Sequence, residues 1–177
     1  MVLRRLIVFV LILGGASTLK PADDEDAAFK FQNVDYFHRW SGGTQHEFTP
    51  AKQEDLDHWT DMITINAYPD VNDGEKLAGV ANAVLGNYQR AGKVIRTNSV
   101  PATDKSPAEH FIAVFFTRPD FSEAAFARMM LVDGKGHSFV YSHRVYGNNA
   151  ADEMGAWLKG NGEKTEKALM DWEPPSR

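Results

Sequence analysis

The dipeptide Asp133-Gly134 constrains this chain more than any other feature. It separates residues 123–132, whose composition by itself suits a helix, from residues 137–146, where apolar and polar side chains alternate. An Asp-Gly pair supplies the two positive-φ positions of a type I′ turn, whose twist matches two antiparallel strands. A strand over 137–146 needs a partner, and so tight a turn delivers the preceding segment as that partner. Residues 125–132 are therefore expected as a strand despite their helical composition.

The rest of the pattern agrees with a sheet-dominated chain. Residues 29–40 alternate aromatic and polar side chains, Ser41-Gly42-Gly43-Thr44 reads as a turn, and residues 45–48 return as a second strand. Thr49-Pro50 resembles a helix start, a hydroxyl cap followed by proline where its missing N–H costs nothing, and predicts a short helix over 51–57. Residues 59–67, with Met62, Ile63, Ile65 and Ala67, read as a strand. Asp73 caps a helix whose Leu77, Val80, Ala81, Val84, Leu85 and Tyr88 recur at three- and four-residue spacing, with Gly92 as its left-handed stop. Residues 93–100 form a strand, 101–107 a loop, and the Phe- and Val-rich 110–117 a buried central strand. From Asn149 onward Met154, Trp157, Leu158, Leu169 and Met170 mark a helix, which Gly160-Asn161-Gly162 is expected to interrupt. The expected order, β-β-α-β-α-β-β-β-β-α, indicates an α+β fold: a single domain, mostly antiparallel sheet with helices packed on it.

The first residues read as an export signal. Arg4 and Arg5 precede an unbroken apolar run from Leu6 to Leu13, which dissolves into Gly14, Gly15, Ala16, Ser17 and Thr18. A basic start, a short apolar core and a small-residue exit are the parts a signal peptidase requires, and the run is too short to span a bilayer. The division is then a signal peptide over 1–18, a disordered acidic spacer over 19–28, and an α+β domain over 29–173. A periplasmic or secreted destination follows, without a stable membrane anchor after cleavage. Without Arg4 and Arg5 the 19 basic residues fall to 17 against 24 acidic ones, a formal charge of −7. That balance argues against nucleic acid as a partner. With no cysteine, thiolate metal sites and cysteine nucleophiles are excluded.

The run Glu47-Phe48-Thr49-Pro50, then Gln53, Asp55-Leu56 and Trp59-Thr60-Asp61-Met62-Ile63-Thr64-Ile65, resembles a signature of small exported bacterial proteins of unassigned function. Ala108-Glu109-His110-Phe111 and Tyr141-Ser142-His143-Arg144 are similar to segments of the same group. The element order is also similar to the PsbP-like fold, a sheet with helices on its two faces used for protein binding. The resemblance implies a fold and carries no activity with it.

Two sets of residues could carry chemistry. His38, Arg39, Trp40 and His46 flank the first hairpin, where an exposed tryptophan beside an arginine is the composition of a binding hot spot. His38, His46 and Glu47 would suit zinc in ligand type, but Glu47 and His46 are strand neighbours pointing to opposite faces, so no metal or other cofactor is expected. The second set is Glu109, His110, His143 and Arg144, ionisable groups in apolar strands. Such groups must be paired, with Glu109 or Asp61 satisfying Arg144 or His143, or else line a pocket where a carboxylate-paired histidine acts as a base. Ser142 and His143 are adjacent on a strand and cannot form a nucleophile–base pair. The expectation is a non-enzymatic exported binding or accessory protein, recognising a periplasmic protein or a small ligand. The alternative is a small periplasmic hydrolase-like enzyme using the His/Glu/Arg cluster.

Overall fold

The structure, a computed structural model, describes residues 26–104 and 106–175; the expected signal peptide and most of the acidic spacer lie outside them. A first meander consists of β1 (Phe29–Phe31), β2 (Val34–Gly42), β3 (Gln45–Pro50) and β4 (Asp61–Tyr68). Helix α1 (Gly74–Ala91) leads to a second meander of β5 (Lys93–Val100), β6 (Glu109–Thr117), β7 (Phe121–Val132) and β8 (Lys135–Tyr146), and helix α2 (Ala150–Asp171) follows. The strands form one antiparallel sheet in the order β1-β2-β3-β4-β8-β7-β6-β5, so β4 and β8 fuse the two meanders along a register running from Asp61↔His143 to Tyr68↔Gly136. The fold is α+β, mostly sheet, with one helix on each face.

The Asp133-Gly134 turn does what its chemistry demands. Both residues have positive φ, 49° and 74°, and the strands they join pair without interruption from Val132↔Lys135 to Phe121↔Tyr146. The composition of β7 misleads because both of its faces are covered. Ala125, Ala127 and Met129 meet Leu77, Ala81, Val84 and Tyr88 of α1, whereas Ala124 and Phe126 share a cluster with Met154 and Leu169 of α2. A strand buried on both faces has no polar alternation to display.

Several local expectations are corrected. No helix forms over 51–57: Lys52 sits at φ 65°, Thr49 Oγ1 donates to the Gln53 carbonyl at 2.5 Å, and the segment is a chain of turns. The Gln53 side-chain carbonyl instead accepts the N–H groups of Thr60 and Asp61 at 2.7 and 2.9 Å, fastening the loop to the start of β4. Residues 29–40 are not one strand, because Gln32 and Asn33, at φ 49° and 63°, turn the chain between β1 and β2. The spacer's last residue, Ala28, already donates its N–H to the Tyr36 carbonyl. Gly92 is no left-handed stop; its backbone is extended at φ −158°. Glycine is needed there for space, since a Cβ would come within 2.5 Å of the Phe115 carbonyl oxygen. Asp73 caps α1 as expected, accepting the Lys76 N–H at 2.8 Å. Gly160-Asn161-Gly162 does not interrupt α2, which runs unbroken through Asp171 while its neighbours Met154 and Leu169 stay fully buried. Tertiary packing overrides the roughly 1 kcal/mol that each glycine costs a helix.

No helix among the described residues is long and apolar enough to cross a membrane.

Candidate functional site

The sheet itself separates the four ionisable candidates. Its register puts Glu109 and His143 on the α2 face and His110 and Arg144 on the α1 face. Each is then engaged separately. Glu109 accepts both Nε and Nη2 of Arg128, at 2.7 and 3.0 Å, and Arg128 also donates Nη1 to the Leu169 and Trp172 carbonyls at 3.0 and 2.7 Å. His143 Nδ1 lies 2.9 Å from Asp61 Oδ1, its ring stacks on Trp157 with centroids 4.1 Å apart, and Tyr141 donates to the same carboxylate oxygen at 2.7 Å. His110 Nδ1 lies 3.0 Å from Ser99 Oγ, and burial holds its imidazole below the ordinary histidine value.

Arg144 is largely enclosed, with 15% of its side chain exposed. Its guanidinium lies between the Trp59 ring at 3.8 Å and the Phe121 ring at 4.3 Å, and Nε donates to Glu123 at 2.8 Å. Burial pushes the Glu123 carboxyl above the usual carboxylate range, with Arg144 pulling the other way. Next to it, Tyr146 Oη accepts the Trp59 N–H at 3.1 Å and donates to the Trp59 carbonyl at 2.8 Å. The arrangement pins the β3–β4 loop against β8. Chemically, these pairings neutralise one another and hold elements together.

Of the hairpin residues, His38 and His46 do meet, with Ser41 between them. A bulge between His38 and Trp40 inserts Arg39 into β2, after which Trp40 pairs with Glu47 and Ser41 with His46. Three residues along a regular strand reverse face; the extra residue restores His38 and Ser41 to the same one. His38 Nε2 lies 2.6 Å from Ser41 Oγ, and Ser41 Oγ lies 2.7 Å from His46 Nδ1. The two rings are 6.1 Å apart, and the His38 ring stands edge-on to the buried Phe48 at 5.3 Å. Glu47 is turned away, buried, and accepts the Gln45 side-chain amide at 2.9 Å. Arg39 points to that same opposite face, donating to Thr49 Oγ1 at 3.0 Å and to the Pro50 carbonyl at 3.2 Å. Trp40 is half-buried over Gly42, where a Cβ would come within 2.2 Å of the indole. The exposed tryptophan expected at this hairpin is therefore partly covered by the hairpin's own backbone.

Beside His46, on the α2 face, opens a cavity of about 320 Å³. Ile65, Ala67 and Phe139 contribute apolar lining, and His46, Lys135 and His137 contribute polar groups. Sequence reasoning missed Lys135, His137 and Phe139 as a set. The available signal was their alternation after the Asp-Gly turn, but which strand lies opposite is a matter of sheet order. Arg128 was missed too, although a lone arginine inside Ala-Phe-Ala-Arg-Met-Met-Leu has to find a partner if that run is buried.

Neither the protein-family models nor the curated proteins compared with this chain match it.

Proposed function

We propose that this chain is an exported, non-enzymatic binding protein that takes a small, largely apolar ligand at the end of the sheet formed by the β2–β3 hairpin and the β7–β8 turn. The observation that carries the reading is the cavity of about 320 Å³ beside His46, a volume in the range of small-molecule sites. An apolar floor from Ile65, Ala67 and Phe139, flanked by His46 on β3 and by Asp133, Lys135 and His137 around the β7–β8 turn, suits a small ligand with an apolar body and polar substituents. The dispersal of Glu109, His110, His143 and Arg144 over two faces supports binding over hydrolysis, because acid–base chemistry needs its groups within hydrogen-bond reach of one another. Trp40 and Arg39 lie on the opposite face of the same hairpin, and there they hold it in shape.

The test is a fluorescence titration with 1-anilinonaphthalene-8-sulfonate, an apolar ring system with one anionic group. Saturable binding by a cooperatively folded protein is expected, and Ala67→Trp, which fills the cavity, should abolish it without lowering the unfolding temperature. Equal dye binding by the folded Ala67→Trp variant would refute the reading.

A further inference from the structure

The same hairpin carries a second feature, which shares only His46 with the cavity wall. His38 Nε2 and His46 Nδ1 are both aimed at one point, which the Ser41 hydroxyl occupies at 2.6 and 2.7 Å. We propose that His38 and His46 form a two-imidazole seat for a divalent transition metal of borderline softness, zinc or copper, with Ser41 beside it.

The geometry comes from three causes. The bulge at Arg39 brings His38 onto the face of His46. The Ser41↔His46 register sets the hydroxyl directly across from His46, while His38, opposite Phe48, lies diagonal to it. Phe48, fully buried and edge-on to His38, limits where that ring can turn. A histidine–metal bond is about 2.0–2.1 Å, shorter than either present hydrogen bond, so once the exposed Ser41 side chain rotates aside, an ion at the position of the hydroxyl needs only a small inward adjustment of each ring. The 6.1 Å separation of the rings suits two imidazoles on a single ion. Imidazole nitrogen favours zinc, copper and nickel over magnesium or calcium, whose preferred ligands are oxygens. Ser41 is exposed, so the remaining coordination positions face solvent and take water. The site differs from the set weighed on sequence alone: Glu47 is lost to the other face, as its strand position requires, and Ser41 takes the place between the histidines.

The test uses the full-length chain titrated with zinc chloride by calorimetry. One zinc per chain, bound in the micromolar range, is expected. Removing even an outer partner of a metal ligand costs about 10–100-fold in affinity, so His38→Ala and His46→Ala should each weaken binding at least about tenfold. The double variant should bind none, while His137→Ala, which alters the cavity alone, should bind as the parent does. Nitrogen chemical shifts of the histidines in the unmutated protein add a measurement that no folding defect can confuse: zinc should move His38 Nε2 and His46 Nδ1 specifically. Undiminished binding in the folded double variant, an absence of zinc binding by the parent, or shifts confined to other histidines would each overturn the assignment. Because His137→Ala and Ala67→Trp leave both ligands in place, loss of dye binding and loss of zinc binding are separable results.

Discussion

Replacing Arg128 by methionine should be among the most damaging single changes that keep side-chain volume. Its side chain is 7% exposed and fastens three elements at once: the Glu109 carboxylate on β6, and the Leu169 and Trp172 carbonyls at the end of α2. The last turn of α2 has no basic residue of its own, so this arginine of β7 supplies the positive charge that a helix C-terminus favours. Methionine leaves Glu109 as an unpaired carboxylate in a site only 18% exposed, with two carbonyls short of a donor. Removing one partner of a buried ion pair costs about 3–5 kcal/mol. For a chain of this size that lowers the unfolding temperature by roughly 6–20 °C. Glu109→Gln is the informative control. Arg128 then keeps both carbonyls and an amide oxygen, and the loss should be only about 1.5–3 kcal/mol, as for a hydrogen bond to a charged group. Urea unfolding of both variants, with amide exchange over residues 169–172, separates the two contributions. If Arg128→Met is no less stable than Glu109→Gln, the picture of Arg128 as the clasp between α2 and the sheet is wrong.

The remaining predictions concern buried ionisable groups. Arg144→Met leaves Glu123 unpaired, for a loss of about 3–5 kcal/mol near neutral pH. Because burial raises the Glu123 carboxyl, the folded state takes up a proton before the unfolded chain does, so this variant should regain stability as pH falls from 8 toward 5 in urea unfolding. Arg144→Glu sets a second carboxylate beside Glu123 and removes the cation between Trp59 and Phe121; it should give no cooperative unfolding transition by circular dichroism. Tyr36, Tyr88 and Tyr141 all have phenols raised by burial, so they stay neutral in the folded state while the unfolded chain ionises above about pH 10. Their contribution is therefore present below that pH and lost above it, at up to roughly 4 kcal/mol per pH unit for the three together. Urea midpoints at pH 9, 10 and 11 should fall accordingly, and a Tyr→Phe replacement at all three positions should flatten the slope.

Some of this was legible in one dimension and some was not. Asp133-Gly134 determined a hairpin because a type I′ turn is a local property of two residues, and the Asp73 cap and the spacing from Leu77 to Tyr88 determined α1 for the same reason. Alternation identified β2, β3 and β8, although the breaks at Gln32-Asn33 and at Lys52 passed unnoticed, since residues other than glycine rarely take positive φ. The requirement that Glu109, His143 and Arg144 be paired also followed from the cost of burying charge. Of the pairings themselves, only His143 with Asp61 was among those the sequence offered. Glu109 takes Arg128, Arg144 takes Glu123 and His143 takes Asp61, because sheet order and register, which depend on long-range burial, bring those side chains face to face. The His38–Ser41–His46 constellation depends on one inserted residue. A strand alternates faces by default, and only the pairing of β2 with β3 decides where a bulge reverses that alternation.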